Sequence, residues 1–561
     1  MGKADFSIEA LVGKIERGEL QLPEMQREYV WRATRVRDLL DSLYRGYPSG
    51  VILAWESDEI IATREFAVDA SSNSGVRPLL LLDGQQRLTS LSAILRGKPV
   101  TVKGRRKPVD ILFNLDHPEA ISFVTDVHEN SEEIDNFDDS ADLDLQERFK
   151  RMTFVVSSKA LLASNNWVSV SEIFAKQDFD ILKDLGLTNM DDPRVGKYSA
   201  RLQAVRAISK YEYRMDILER SKSYEEVTEI FVRVNSLGAK LRSSDLALAQ
   251  ITAKWRGSLE LFREYQKEIE KLGFDLELGI ILRVLVALNT NQSKFLAVNS
   301  LSLENLKAGW GRAKRAFNFA LNFAKAEIGL ESEALLSSPY LLVATAYWAE
   351  KREFSISGEE KSDFRKWFLN ANAKGRYSRG SSETLLDQDL ATLRDGGNAS
   401  DLLARLKQQV GRLAFTPEDL VGRNSRSGAF KTMFLAFSKD GASDWKTNLP
   451  ISSKHAGKSD VIEFHHIFPK AYLKKNYPHV ATQQIDDIAN LAFIGAETNR
   501  KIGDKSPKTY RAFFNEADLR MQLIDFSDGQ DEGEGFVKFL ESRRSAIASK
   551  LNEFLSLNDN D

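Results

Sequence analysis

The 561-residue chain contains no cysteine. Disulfides, thiolate zinc knuckles and a cysteine nucleophile are therefore excluded, and this absence is typical of a cytoplasmic protein. The chain also lacks any run of about 18 uninterrupted apolar residues, so we expect no membrane span. Residues 1–9 are charged and lack the apolar core of a signal peptide. We therefore expect a cytoplasmic protein without a membrane partner.

An excess of basic residues is also missing, since 78 Lys and Arg stand against 81 Asp and Glu, a net charge of −3. This balance argues against a protein that coats DNA generally. A hydrophobic content of 42% and a charged content of 28% are ordinary for a globular chain, and the length allows two to four domains. We find no tandem repeat, no long linker rich in Pro or Gly and no Walker-type phosphate loop. A triphosphate site, if present, must be of another kind.

Histidine is scarce and clustered, since four of the six histidines lie between residues 455 and 479. His465 and His466 are adjacent, and Asn490 and Asn499 follow His466 at offsets of 24 and 33. Neighbours on an extended segment point to opposite sides, so we interpret one histidine as a metal ligand and the other as a base. A neutral imidazole can take a proton from water near pH 7, and a divalent metal can stabilise charge on a phosphate. A base and a metal ligand in this order are compatible with hydrolysis of a phosphodiester.

The same segment predicts a strand–loop–strand–helix unit. Residues 461–468 and 491–494 have the composition of short strands. Residues 496–501 then form a helical turn that ends near Gly503. We expect this unit to be a ββα-metal core.

Residues 463–507 resemble an HNH, or His-Me finger, nuclease motif. The resemblance implies that His466 is the general base and that His465 and Asn499 bind a divalent metal. It further implies that Asn490 braces the loop and orients the base. Relatives often have Asp at the first ligand position, so Mg, Mn and Ni stay open; imidazole suits Zn, Ni or Mn better than Mg.

Basic side chains near this motif and elsewhere are candidates for DNA contacts. Arg500 and Lys501 follow the second ligand directly and are predicted phosphate contacts. Lys374 and Arg376 belong to a predicted loop that mixes basic, aromatic and glycine residues. A solvated turn remains the alternative for that loop, as it does for a basic run over 98–107.

A second polar signature follows an apolar run at Leu79–Leu82, which predicts a buried strand, and a helix is expected from Leu88 onward. A tight turn between a strand and a helix presents backbone N–H groups to an anion. Within this turn, Asp83 could hold a metal or a ribose hydroxyl, and Arg87 could donate two hydrogen bonds to a phosphate. The turn consists of Asp83, Gly84, Gln85, Gln86 and Arg87.

Two further stretches accompany this turn. Gln26 and Arg27 lie in a polar and aromatic stretch at a predicted junction between a loop and a helix. Arg233 and Asn235 lie where a helix is predicted to end, before a turn at Gly238 and a helix capped by Ser243 or Ser244.

Together with the histidine segment, these stretches resemble GmrSD-type, modification-dependent (type IV) restriction enzymes, over most of residues 5–255 and 400–545. In that family a ParB-like N-terminal domain carries the Asp-Gly-Gln-Gln-Arg segment and an HNH module follows. The resemblance implies that the N-terminal domain binds and hydrolyses a nucleoside triphosphate, with GTP, CTP, UTP and ATP all open. It also implies that this domain recognises modified DNA. The implied nucleotide-binding residues are Gln26, Arg27, Asp83, Gly84, Gln85, Gln86, Arg87, Arg233 and Asn235.

We therefore predict an α+β fold that is predominantly helical. It comprises a ParB-like α/β domain over 1–255, a helical connecting region over 256–400 and, over 401–561, an HNH domain whose ββα-metal module is embedded in helices. Apolar positions at helical spacing over 200–234, 240–275 and 278–350 support the helical content. Residues 126–147 are acidic without Lys or Arg, and we interpret them as a solvated segment that could mimic DNA.

The predicted function is an anti-phage restriction endonuclease or nickase whose cleavage depends on DNA modification and is regulated by a nucleotide. Its partner would be modified phage DNA, and a homodimer would suit double-strand cutting. One alternative is an NTPase and nickase that senses phosphorothioate DNA. Another is an NTP-dependent DNA-binding switch with a vestigial nuclease.

Overall fold

The computed structural model describes most of the chain and divides it into two compact units, Met1–Gly257 and Ser258–Asp561. The described residues are 2–23, 31–57, 63–64, 78–102, 107–118, 151–157, 161, 166–189, 191–237, 243–378, 380–451, 462–526 and 530–557. The predominantly helical α+β fold is confirmed. The predicted three-domain division, with its second boundary at residue 400, stays a prediction.

The first unit contains a mixed six-stranded sheet with strand order β1–β9–β3–β5–β2–β4 and a three-stranded antiparallel sheet with order β7–β6–β8. The strands are β1 (Gly2–Ser7), β2 (Leu20–Pro23), β3 (Ile52–Trp55), β4 (Thr63–Arg64), β5 (Leu79–Asp83), β6 (Ile111–Asn114), β7 (Phe154–Val156), β8 (Trp167–Ser169) and β9 (Glu212–Leu218). The helices are α1 (Ile8–Glu16), α2 (Ala33–Tyr44), α3 (Gln85–Leu95), α4 (Val170–Ala175), α5 (Asp178–Asp184), α6 (Pro193–Arg206), α7 (Tyr224–Leu237) and α8 (Ser243–Lys254).

Helix α1 shows how the sequence builds the core of this unit. The Ser7 hydroxyl caps it by accepting a hydrogen bond from the Ala10 amide at 3.1 Å. Its apolar residues recur at helical spacing, so one face is buried and the other carries charge. The buried residues are Ile8, Leu11, Val12 and Ile15.

The helical prediction over 200–234 is wrong in its centre, because Glu212–Leu218 form strand β9 between two helices. Strand β9 pairs with β1 on one side and with β3 on the other, so it lies inside the sheet. Tyr213 and Met215 are buried while Glu212 and Arg214 are exposed, which is the two-residue period of a strand. The flanking helical positions obscured this short alternation.

The second unit is mainly helical and, among its described residues, contains one antiparallel hairpin. Its helices are α9 (Ser258–Lys271), α10 (Leu278–Thr290), α11 (Leu303–Phe323), α12 (Tyr340–Lys351), α13 (Gly358–Lys374), α14 (Ser382–Arg394), α15 (Ala399–Val410), α16 (Pro417–Leu420), α17 (Gly428–Lys439), α18 (Lys470–Asn476), α19 (Thr482–Ile485), α20 (Ala496–Ile502), α21 (Pro507–Tyr510), α22 (Glu516–Arg520) and α23 (Phe536–Phe554). The hairpin strands are β10 (Ile462–His466) and β11 (Leu491–Gly495).

Helices pack against one another through most of this unit. Helix α13 packs against α15 and α17, and α23 packs against α16, α17 and the short helical turn at Ile488–Asn490. Trp310 and Phe317 are buried in the core. Among the described residues, no helix has the length and apolar character needed to cross a membrane.

Candidate active site

The hairpin and the helix after it contain the residues of the predicted nuclease motif. Strands β10 and β11 run antiparallel, with His465 opposite Ala492 and His466 opposite Leu491. Helix α20 begins directly after β11, packs against both strands and ends at Gly503, whose φ is +58°. The predicted strand, strand and helix thus occur within two residues of their predicted bounds.

Asn490 is fully buried and binds the turn that follows β10. Its side-chain oxygen accepts a hydrogen bond from the Phe468 amide at 2.8 Å. Its amide nitrogen donates to the Phe468 carbonyl at 3.2 Å and to the Ile485 carbonyl at 2.9 Å. Because the oxygen and both N–H groups bond to backbone, this geometry is that of a brace. Any direct part in catalysis stays a prediction.

The His466 ring is three-quarters buried and is held by a carboxylate that the sequence did not reveal. Its Nε2 lies 3.0 Å from an Asp486 carboxylate oxygen, and the Lys470 ammonium lies 3.5 Å from the same oxygen. Burial lowers the pKa of His466 below its ordinary value, against the opposing effect of Asp486. The ring is therefore neutral at pH 7. Since a carboxylate accepts, Nε2 donates its hydrogen and Nδ1 keeps a lone pair.

His465 and Asn499 are the predicted metal ligands. Burial and the neighbouring His466 lower the pKa of His465 to about 4, so its imidazole stays in the neutral form that binds metals. Asn499 is half-buried on α20, the helix that packs against the strand carrying His465. One imidazole nitrogen and one amide oxygen would form a donor set that suits Mn, Ni or Zn better than Mg.

Within the described part of the chain, no three or more His, Asp or Glu side chains lie close enough together to hold a metal. His465 and Asn499 therefore stay the predicted ligands of this site.

Asp444 positions α20 and was not predicted. Its carboxylate accepts hydrogen bonds from the Gly495 amide at 2.7 Å, the Thr498 hydroxyl at 2.7 Å and the Thr447 amide at 2.8 Å. Burial acts to raise the pKa of Asp444, but these hydrogen bonds outweigh it and hold the pKa below its ordinary value. A carboxylate at the first turn of a helix also interacts favourably with the helix dipole. Asp444 thereby fixes the helix that carries Asn499.

Two other buried side chains hold the backbone around Asn490. The Arg543 guanidinium donates to the Ala489 and Leu491 carbonyls at 2.8 Å and to the Gln522 carbonyl at 2.9 Å. Complete burial lowers the pKa of Arg543 to about 9. The Tyr510 hydroxyl donates to the Ile467 carbonyl at 2.7 Å. Both backbone stretches flanking the site are therefore fixed from the interior of the unit.

Arg500 and Lys501, the predicted phosphate contacts, are exposed on α20. The Arg500 Nε donates weakly to the Ala496 carbonyl at 3.3 Å. The Lys501 ammonium lies 5.3 Å from the Phe513 ring centre. Their position on the helix that carries Asn499 leaves both charges accessible to a strand of DNA.

The prediction that Arg376 contacts DNA is wrong. Arg376 is 1% exposed, and its guanidinium donates to both Asp389 carboxylate oxygens at 2.8 and 3.0 Å. A third hydrogen bond joins it to the Gln409 side-chain oxygen at 2.7 Å. The predicted loop contains the end of α13, its glycine cap and a buried ion pair. Arg379, the other arginine of that loop, lies outside the described residues.

The prediction that Lys374 lies on an open DNA-binding loop is also wrong. Lys374 is the last residue of α13 and is 8% exposed. Its ammonium donates to the Ala414 carbonyl at 3.2 Å and lies 3.6 Å from the Phe415 ring centre. The side chain therefore packs inside the unit, at the wall of a cavity, instead of standing on an open loop.

In the first unit, the Asp83–Arg87 turn joins β5 to α3, but α3 already begins at Gln85, three residues before the predicted start at Leu88. Gly84 adopts a φ of +100°, a conformation that favours glycine, at the N-terminus of α3. The Arg87 guanidinium donates to the Ser49 carbonyl at 2.5 Å, the Val51 carbonyl at 2.8 Å and the Asp83 carboxylate at 3.0 Å. In this structure Arg87 binds the chain itself instead of facing outward as a phosphate donor.

The structure describes only some of the other predicted nucleotide-binding residues. Gln85 and Gln86 are buried, and the Gln86 side-chain oxygen accepts a hydrogen bond from the Trp31 amide at 3.2 Å. Arg233 is exposed on α7 and pairs with Glu229 at 2.7 Å. Several predicted features lie outside the described residues. They are Gln26, Arg27, Gly238, the side chain of Asn235, residues 103–106 of the basic run and the acidic stretch 126–147. Helix α8 begins at Ser243, so the predicted capping serine, Ser243 or Ser244, lies within one residue of the observed start of the helix.

Comparisons with known proteins bear on the first unit and on the chain as a whole. The uncharacterized protein MJ0686 of Methanocaldococcus jannaschii is 24% identical in sequence, over 97% of this chain and 98% of its own length. Residues 8–252 match the family model described as GmrSD restriction endonuclease, N-terminal domain. That match spans nearly the whole first unit, so this part of the chain is similar to the N-terminal domain of GmrSD restriction endonucleases.

Proposed function

We propose that this protein is a metal-dependent DNA endonuclease or nickase of the restriction type. The observation that carries the proposal is His466, a neutral histidine held by Asp486 at the end of β10. The Asn490 brace lies beside it, and α20 with Asn499 follows β11. The match of residues 8–252 to a restriction endonuclease domain supports DNA as the substrate.

His466 would act as the general base on the attacking water. With Nε2–H donated to Asp486, the lone pair of Nδ1 is the available proton acceptor. The imidazolium formed when Nδ1 takes a proton from water would be stabilised by the Asp486 carboxylate. Because burial keeps the ring neutral, the base is ready at physiological pH.

His465 and Asn499 would hold a divalent metal, and Arg500 with Lys501 would contact the DNA backbone. A bound divalent metal would supply Lewis-acid stabilisation of the charge that develops on the phosphate. The Asp444 carboxylate would keep Asn499 in place by fixing the first turn of α20. Asn490 would keep the turn after His466 from shifting.

The Asp83–Arg87 turn would bind a nucleoside triphosphate and regulate cleavage in response to DNA modification. Its strand–turn–helix geometry and the family similarity of residues 8–252 support this part of the proposal. Binding of a phosphate by Arg87 would require the guanidinium to exchange the Ser49 or Val51 carbonyl for the ligand. Nucleotide binding would then alter the conformation of residues 49–51, which offers a route for regulation.

A cleavage panel with the full chain tests the proposal. The substrates are unmodified, glucosylated-hydroxymethylcytosine and phosphorothioate DNA, each with and without each of the four triphosphates, and with Mg, Mn, Ni or EDTA. We expect metal-dependent cutting of one modified substrate. His466→Ala should lower the rate by at least about a hundredfold, as expected for loss of a general base.

The matched control is His479→Ala, which removes an exposed histidine outside the hairpin and helix. This variant should cut like the parent. Equal cutting by His466→Ala and the parent would refute the catalytic assignment. Triphosphate turnover without cleavage of any DNA would favour the switch with a vestigial nuclease.

A further inference from the structure

A cavity of about 410 Å³ in the second unit lies where α13 ends and α17 begins. Four cationic side chains line it, whereas Asp419 is the one acidic residue among those that line it. The cationic residues are Lys374, Arg412, Arg423 and Arg426. A concave site with such an excess of one sign concentrates positive potential and attracts anions.

Lys374 forms part of the inner wall of this cavity. It is more than nine-tenths buried, over the Phe415 ring, with its ammonium bonded to the Ala414 carbonyl. The nearby Asp419 carboxylate accepts hydrogen bonds from Arg412 at 3.2 Å and from the Thr416 amide at 3.0 Å. Among the residues that line the cavity, this single carboxylate stands against four cationic side chains, an excess of positive charge that favours an anionic ligand.

The N-terminus of α17 adds backbone donors to the same wall. Ser427 caps this twelve-residue helix by accepting from the Phe430 amide at 3.2 Å. Gly428 and Ala429 line the cavity. A Cβ on Gly428 would lie only 2.1 Å from the Asn372 carbonyl oxygen, so a side chain there is excluded and the helix end stays close to α13. The dipole of α17 thus favours an anion at the same place as the side-chain charges.

We propose that this cavity binds a phosphate-bearing ligand in the C-terminal unit. Arginine and a helix N-terminus are the groups that recognise phosphate in proteins. The volume lies within the range of small-molecule sites, about 300 to 1,000 Å³, and exceeds the space of one phosphate. The phosphate can belong to a free nucleotide or to a backbone unit of a DNA strand. This binding does not depend on the phosphodiester chemistry proposed above.

The cavity is connected to the residues that hold His466. The Arg423 carbonyl accepts a hydrogen bond from the Ile488 amide at 2.8 Å, and the Gly422 amide donates to the Asp487 carboxylate at 2.9 Å. Ile488 and Asp487 lie between Asp486, which binds His466, and the Asn490 brace. A ligand that orders Arg423 would therefore also order the segment that positions the base.

Binding measurements on the full chain test the proposal. Arg412 and Arg426 are exposed, so Arg412→Gln/Arg426→Gln removes two charges without removing a core side chain. The matched control is Arg405→Gln, which neutralises an exposed arginine of α15 that does not line the cavity. Calorimetry with pyrophosphate and with ATP probes the free-nucleotide source. Binding of a 12-nucleotide single-stranded DNA in EDTA probes the strand source.

We expect the double variant to bind one of the two probe classes at least about tenfold more weakly, since it loses two charge-assisted contacts. The control should match the parent. A loss confined to pyrophosphate and ATP identifies a nucleotide site, and a loss confined to the oligonucleotide identifies a strand contact. Equal affinities of parent and double variant for all probes, with equal melting temperatures, would overturn the proposal.

Discussion

The two polar turns of this molecule hold their functional side chains in different ways. Around the histidine pair, three buried side chains other than the histidines hold the backbone. They are Asn490, Arg543 and Tyr510. At the Asp83–Arg87 turn, the arginine expected to bind phosphate also holds the neighbouring loop. If the proposed roles hold, different residues fix the backbone and act on the substrate in the second unit, whereas Arg87 does both in the first. Substitutions around the histidine pair should therefore affect stability and cleavage separately, whereas substitution of Arg87 should affect stability and nucleotide binding together.

The largest effect on stability is expected for Asn490→Ala. It would leave the Phe468 amide and the Phe468 and Ile485 carbonyls without their side-chain partner inside the protein. We expect the free energy of unfolding of the second unit to fall by about 3 kcal/mol, because each unsatisfied buried group costs about 1–3 kcal/mol. Urea unfolding followed by tryptophan fluorescence measures this loss.

The control for that substitution is Asn499→Ala. Asn499 is half-buried at a helix position, so the free energy of unfolding should change by less than about 0.5 kcal/mol. Its predicted role is in metal binding, so metal-dependent cleavage should fall while stability holds. Similar destabilisation by both variants would remove the distinction between the brace and the ligand.

The sequence predicted this ββα unit because its signals are local. Strand composition in Leu491–Gly495, the helical turn that follows and Gly503 at its end are all contained in a short stretch. Asp486, Asp444 and Arg543 were missed because their partners lie 20 to 55 residues away, and no periodic pattern relates residues that meet only after folding. Asp486 alone could have been suspected, since it follows the histidines within the loop of the motif.

The prediction of a DNA-binding loop near Arg376 was wrong for a related reason. Its Lys-Gly-Arg-Tyr-Ser-Arg composition is typical of a solvated turn, and glycine does end α13 at that point. Arg376 pairs inside the unit with Asp389, which lies on the next helix, α14. An arginine in a solvated basic loop and an arginine in a buried ion pair can have the same neighbouring residues, so only the tertiary packing distinguishes the two cases.

In the first unit, Arg87→Ala should reduce both stability and nucleotide binding. Two backbone carbonyls and Asp83 would lose their donor, and we expect the free energy of unfolding to fall by about 2 kcal/mol. Asp83→Asn removes only a partly exposed charge partner and should cost less than about 1 kcal/mol. Thermal unfolding and calorimetry with each triphosphate measure the two effects. An Arg87→Ala protein as stable as the parent but unable to bind nucleotide would place the arginine in the ligand site alone.

Asp486→Asn should affect cleavage with little effect on stability. Its carboxylate is partly exposed, and the amide that replaces it can donate to the ring as well as accept, so the Nε2–H tautomer is no longer enforced. We expect cleavage at pH 7 to fall about tenfold, within the range of a positioned general base. Lys470→Gln, which removes the other partner of Asp486, is the control and should keep most of the activity. Unchanged cleavage by Asp486→Asn would mean that His466 does not need its partner.

The smallest effect is expected for Arg500→Gln, at the surface of α20. Arg500 is exposed and makes only a weak hydrogen bond to its own helix, so the variant should fold like the parent. Loss of one phosphate contact should weaken DNA binding a few-fold, uniformly across sequences, and reduce the slope of log affinity against log salt by about one. Filter binding in EDTA at several salt concentrations measures both quantities. An unchanged salt slope would exclude Arg500 from the DNA surface and would leave Lys501 as the phosphate contact of α20.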